Sequence, residues 1–224
     1  MRELKRLAAL LLALVLVFSM TACGGSMEET VTQLVQGNLD ELYLGKFDES
    51  YLELVSATEE ECEQSYLEGL EIEAEYFAYY FNVEYLTDEL KADIVELYKE
   101  IYSHSKFTVN PATKLDDDTY AVKVQISPIN IFDLVLQAES EGAMDDFYNK
   151  YATVDINAMT DEEYKAYDTE WAYAIIDLCY EQLPNVGYMD EQSIAVQVTK
   201  DTDGLWCITD NDMGTIDELI IYYP

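Results

Sequence analysis

The apolar residues change their spacing near residue 105, and that change decides which fold classes are open to this chain. From Thr58, the sequence places Cys62, Tyr66, Leu70, Ala74, Phe77 and Phe81 at steps of three to four, the period that gathers side chains on one face of an α-helix. Thr58 and Glu61 stand in capping-box positions at its start. A second helix opens at Thr87, with Asp88 and Glu89 at the positive end of its dipole and Leu90, Ile94, Leu97 and Ile101 as its stripe. Residues 27–103 read mostly as helix. Beyond them the period falls to two: Phe107–Val109 and Thr119–Ser127 alternate, with Asp116, Asp117 and Asp118 as the turn between them. Tyr120, Val122, Val124 and Ile126 then share one face of a strand that Pro128 ends.

Helical spacing returns over Ile131–Tyr151, with a break at Gly142. Thr160 and Glu163 form a second capping box, opening a helix with Tyr164, Tyr167, Trp171, Ile175 and Leu178 inward and Pro184 just beyond it. Ser193–Thr199 and Leu205–Ile208 predict a hairpin across Asp201–Gly204, and Ile216–Tyr222 a short helix or a last strand. Helices in runs with two hairpins between them predict an α+β fold, in which helices pack on an antiparallel sheet built from the two hairpins. Thr87-Asp88-Glu89 and Ala121-Val122-Lys123-Val124 recur as Thr160-Asp161-Glu162 and Ala195-Val196-Gln197-Val198. Residues 87–127 and 160–200 are therefore either a duplicated helix-plus-hairpin unit or two uses of the same helix-start chemistry.

The first 25 residues read as an address. Arg2, Lys5 and Arg6 precede the apolar run Leu7–Phe18, which is too short to span a bilayer, and small residues lead from it to Cys23. This is the order of a secretory signal peptide over 1–22. Met20-Thr21-Ala22-Cys23 resembles the lipobox of bacterial lipoproteins, with Met where Leu is commonest. The resemblance implies that Cys23 is acylated and becomes the mature N-terminus, with 23–26 as lipidated Cys and tether. Two acyl chains on Cys23 suffice for stable anchoring. The single α+β domain would then cover 27–224.

Charge removes whole classes of partner. The chain has 46 Asp plus Glu against 12 Lys plus Arg, and loss of residues 1–22 takes both arginines with it. Nucleic-acid binding depends on Lys and Arg neutralising phosphates, and nine scattered lysines in such a field cannot do it. Anionic headgroups are repelled, and no guanidinium remains to clamp a carboxylate or phosphate.

Few residues suggest chemistry. His104, the only histidine, sits at a helix C-terminus that suits an imidazole and has no visible partner for a nucleophile or metal. No nucleophile elbow, zinc-protease, dinucleotide or P-loop motif occurs. Asp201, Asp203 and Asp210 partly fit a calcium loop, but Thr199 stands at its first position and the flanks read as strands; the hairpin reading prevails. Cys62 falls on a core stripe, while Cys179 and Cys207 form the disulfide candidate, a helix-to-strand pair. Tyr76, Phe77, Tyr79, Tyr80, Phe81 and Tyr85 cannot all face one core from one helix, so some line a cleft or lie on the surface.

Thr199–Leu219 (TKDTDGLWCITDNDMGTIDEL), the Thr-Ala-Cys-Gly-Gly start and the acidic helical first half resemble uncharacterised small acidic lipoproteins of Firmicutes-type bacteria. Part of the pattern also resembles NTF2-like or cystatin-like α+β folds. The resemblance implies a fold type and an outward location on the cytoplasmic membrane, and it brings no catalytic residue or cofactor. The expectation is a lipid-anchored, non-enzymatic binding module at the bacterial cell surface, attached to the membrane through Cys23, with a protein, glycan or small-molecule partner and no nucleic acid. The alternative is a small-molecule binder with a pocket between helices and sheet.

Overall fold

The computed structural model describes residues 26–200 and 204–224. These divide into two compact units, each assembled from separate stretches of chain.

The sheet unit takes the described residues up to Gly69, then Ser105–Pro128 and Tyr188–Ile221. Helix α1 (Met27–Leu44) starts with a capping box, in which Ser26 Oγ accepts from Glu29 N–H and the Glu29 carboxylate accepts from Ser26 N–H at 2.9 Å. It ends on Gly45 in the left-handed region, φ 57°, where a Cβ would also come within 2.9 Å of the Tyr66 ring. Helix α2 (Glu49–Val55) follows, and then the first half of α3 (Glu59–Tyr80), capped by Thr58 and Glu61 as their spacing predicts.

The sheet is antiparallel. It consists of β1 (Lys106–Val109), β2 (Thr113–Asp116), β3 (Thr119–Ser127), β4 (Gln192–Lys200) and β5 (Trp206–Ile208), in the order β1-β3-β4-β5 with β2 also on β3. Tyr120, Val122, Val124 and Ile126 of β3 and Val196 and Val198 of β4 are all buried. This buried row is the face that period-two alternation marks out. Helix α1 and the C-terminal helix α8 (Asp210–Ile220) pack on the sheet. Thr209 caps α8, and the Asp212 carboxylate accepts the Gln197 N–H of β4 at 2.7 Å. Tyr43 of α1 donates its hydroxyl to Asp217 of α8. Of the two forms open to the C-terminal segment it takes the helix: α8 runs to Ile220, and Ile221, its C-cap, is extended. The architecture is α+β, as the change of period predicts. In the register of β3 with β4, Val122 stands opposite Val196, so the recurrent tetrapeptides face each other across the central strand pair.

The helical unit takes Leu70–His104, Ile129–Gly187 and Tyr222–Pro224. It holds the second half of α3, α4 (Asp88–Tyr102), α5 (Ile131–Ser140), α6 (Asp145–Tyr151) and α7 (Asp161–Gln182). Helices α4 and α5 both pack on α7. Gly142, φ 97°, makes the break between α5 and α6. The core is aromatic: Phe77, Phe81, Tyr98, Phe132 and Tyr223 meet ring to ring, and the hydroxyls of Tyr98 and Tyr223 are 2.7 Å apart. Such pairs add about 0.5–1.5 kcal/mol each beyond their burial. Asp168 on α7 is 2 % exposed, and its carboxylate accepts the backbone N–H groups of Glu84 and Tyr85. The Trp171 indole donates to Phe81 O at 2.8 Å.

Candidate functional site

Among the helices of the helical unit, α6 ends at Tyr151 and α7 begins at Asp161, and the connection between them has no helical period. Residues 152–158 are exposed, and they include a single turn of 3-10 helix, Ile156–Ala158, whose N–H at Asn157 is held by the Asp155 carboxylate. This connection and the first turns of α7 enclose an open cleft of about 370 Å³, lined by Tyr151, Val154, Asp155, Met159, Glu163 and Tyr167 with two alanines. Behind its wall, Phe147 packs against Tyr151, Tyr167 and Trp171. Tyr151 and Tyr167 meet edge to face at 4.7 Å. Val154 and Ile156 leave 41 % and 37 % of their surfaces exposed.

The polar groups of the rim are already engaged. Glu163 accepts Thr160 N–H and hydroxyl, closing the second capping box, and these bonds hold its carboxyl below the usual range. Lys150 donates to both oxygens of Glu170 at 2.6 Å, and Tyr151 donates to the same carboxylate at 2.7 Å. The lysine and tyrosine hold Glu170 ionised, while burial first and Glu170 second push the Tyr151 phenol up. The cleft therefore presents apolar and phenol surface beside the carboxylates of Asp155 and Glu163.

The pocket alternative read from sequence set its site between helices and sheet. This cleft is lined by helical-unit residues alone. The crowded aromatics of 76–85 do not form it either. Tyr76, Phe77 and Phe81 are buried in their core, Tyr80 is half-buried with its hydroxyl donating to Pro224 O, and Tyr79 is 56 % exposed. Tyr164 and Tyr167, expected inward, are half-buried. The signal for the cleft was the aperiodic stretch 152–160 between two aromatic helix ends, which reads in sequence only as a linker.

The other sequence candidates separate. Cys23 with the signal peptide and Gly24 and Gly25, and Asp201 and Asp203, lie outside the described residues. Asp210 is the exposed first residue of α8. Among the described residues, no group of three His, Cys, Asp or Glu could hold a metal ion. His104 follows the end of α4, its N–H donating to Ile101 O at 3.1 Å. No bridge joins Cys179 to Cys207. Cys179 is a free thiol buried in α7 of the helical unit, whereas Cys207 on β5 of the sheet unit directs its Sγ to Thr199 O at 3.6 Å. Burial pushes the Cys179 thiol well up. Cys62 is buried as its stripe predicts, and burial, then the Glu41 carboxylate, push its thiol up to about 12.

No family model matches the chain, and no curated protein does. Among solved structures, a presumed lipoprotein of Bacillus subtilis, ycdA, is similar at a TM-score of 0.57 with 16% sequence identity over 87% of this chain. The match spans 56% of that protein, so this chain corresponds to little more than half its length. At such identity the similarity establishes the fold. Among the described residues, no helix is long and apolar enough to cross a membrane.

Proposed function

We infer that this chain is a bacterial lipoprotein, held on the outer face of the cytoplasmic membrane by lipid on Cys23, and that its folded part is a non-enzymatic binding module. The observation that carries the reading is the order basic residues, short apolar run, Thr21-Ala22-Cys23, which fits a processed and acylated N-terminus better than a membrane span. The fold shared with a presumed lipoprotein supports it. Ser26 caps α1 directly, so the first helix begins at Met27, four residues after the proposed anchor. The binding role is supported by the open aromatic cleft and by the engagement of its polar groups in local structure.

The test is cell fractionation with exterior protease treatment of intact cells after wall removal. The wild-type chain should sediment with membranes and be digested from outside, and Cys23→Ala should appear in the medium or accumulate unprocessed. Retention of a protected wild-type chain inside the cell would contradict the reading.

A further inference from the structure

The cleft between α6 and α7 is open, and its chemistry restricts what fills it. Its wall is apolar and aromatic, and Val154 and Ile156 extend that surface outward. Charge then selects the occupant. From Asp145 to Glu170 the chain carries eight carboxylates and two lysines, and of these Asp155 and Glu163 line the cleft. Both lysines are engaged: Lys150 is bonded to Glu170, and Lys165 lies 5.0 Å over the Tyr85 ring. Asp145, Asp146, Asp155, Asp161 and Glu162 stay exposed. An anionic occupant is repelled here, and a neutral one leaves the field unused. A side chain with an aliphatic stem and a cationic head covers apolar wall with the first and keeps the second among carboxylates. Phenol rings also attract such heads, as Lys150 over Tyr151 at 5.2 Å shows within this unit.

We propose that this cleft binds an extended peptide segment of a partner protein in which Lys or Arg stands beside an apolar residue. The proposal rests on the reading of the chain as a surface binding module, and it names the chemistry of the partner.

The test is fluorescence anisotropy with the processed chain in non-ionic detergent. The probe is fluorescein-labelled Gly-Ser-Lys-Leu-Lys-Ser-Gly, with the Lys-to-Gln peptide as comparator. The proposal expects the Lys peptide to bind at least about tenfold more tightly than its Gln counterpart, with affinity falling steeply as salt is raised. Ala158→Arg, at an exposed cleft position, should weaken binding at least about tenfold by placing a cation in the cleft. If that variant melts below wild type, Val154→Lys makes the same test. Equal affinity for the two peptides, no binding, unchanged binding by both variants, or displacement by tetra-N-acetylglucosamine would each overturn it. Failure of the lipoprotein reading shows separately, as a chain that fractionation never finds on the outer membrane face.

Discussion

Glu41 is 1 % exposed, in the last turn of α1, and survives there because its neighbours donate to it. Tyr51 Oη lies 2.6 Å from its carboxylate, and Ser65 and Cys62 also bond to it. Burial nevertheless raises its pKa, and these donors only partly offset that. The folded state thus holds the proton more tightly than the unfolded chain. The stability this gives is fully present below the unfolded value, about 4.3, and is lost as pH rises through the higher folded value. Glu41→Gln should remove that component. Its melting temperature, measured from pH 4 upward, should decline less with pH than that of wild type; parallel curves would show that Glu41 does not titrate differently on folding. Gly37 belongs to the same packing, since a Cβ there would lie 2.1 Å from the Tyr51 ring. Gly37→Ala should cost about 1–3 kcal/mol by overpacking, read as a lower denaturation midpoint at unchanged slope.

At the scale of elements, the turn between α3 and α4 depends on one side chain from far along the sequence. Asp168 accepts Glu84 N–H at 3.0 Å and Tyr85 N–H at 2.8 Å. Asp168→Ala leaves those donors without their carboxylate and should cost about 2–3 kcal/mol. Hydrogen exchange should rise at residues 84 and 85 first; unchanged protection there would mean the turn is held otherwise. This contact also marks what could be read in advance. The helix starts at Thr58, Thr87 and Thr160, the buried row of β3, the break at Gly142 and the hairpin of β4 with β5 rest on neighbours in sequence, and they are where local chemistry predicts them. β2 was not anticipated, because Thr113–Asp116 is exposed on every residue and has no alternation to show. The cleft escaped for a related reason: it joins residues of a linker to a helix face, and such a juxtaposition has no period. Cys179 and Cys207 are both free thiols in the structure, and residue type and compartment alone do not say which thiols pair.

The whole molecule is governed by its charge. With 46 acidic and 12 basic side chains, the chain repels itself, and among the described residues its lysine bridges lie at the surface: Lys91 with Glu71 and Glu75, Lys99 with Glu96, Lys114 with Asp117, Lys150 with Glu170 and Lys200 with Asp118. Such pairs contribute little, so screening the excess should matter more than weakening them. Sodium chloride should raise the melting temperature by several degrees; a fall would mean that the pairs outweigh the repulsion. The same excess keeps the molecule off anionic lipid, so in the proposed reading attachment rests on the covalent anchor at Cys23. Intact mass spectrometry of the chain extracted from membranes tests that claim most directly. The account predicts the mass of a chain beginning at Cys23 plus a diacylglycerol group, lost in Cys23→Ala. A chain of unmodified mass beginning at or near Cys23, or one still carrying residues 1–22, would contradict it.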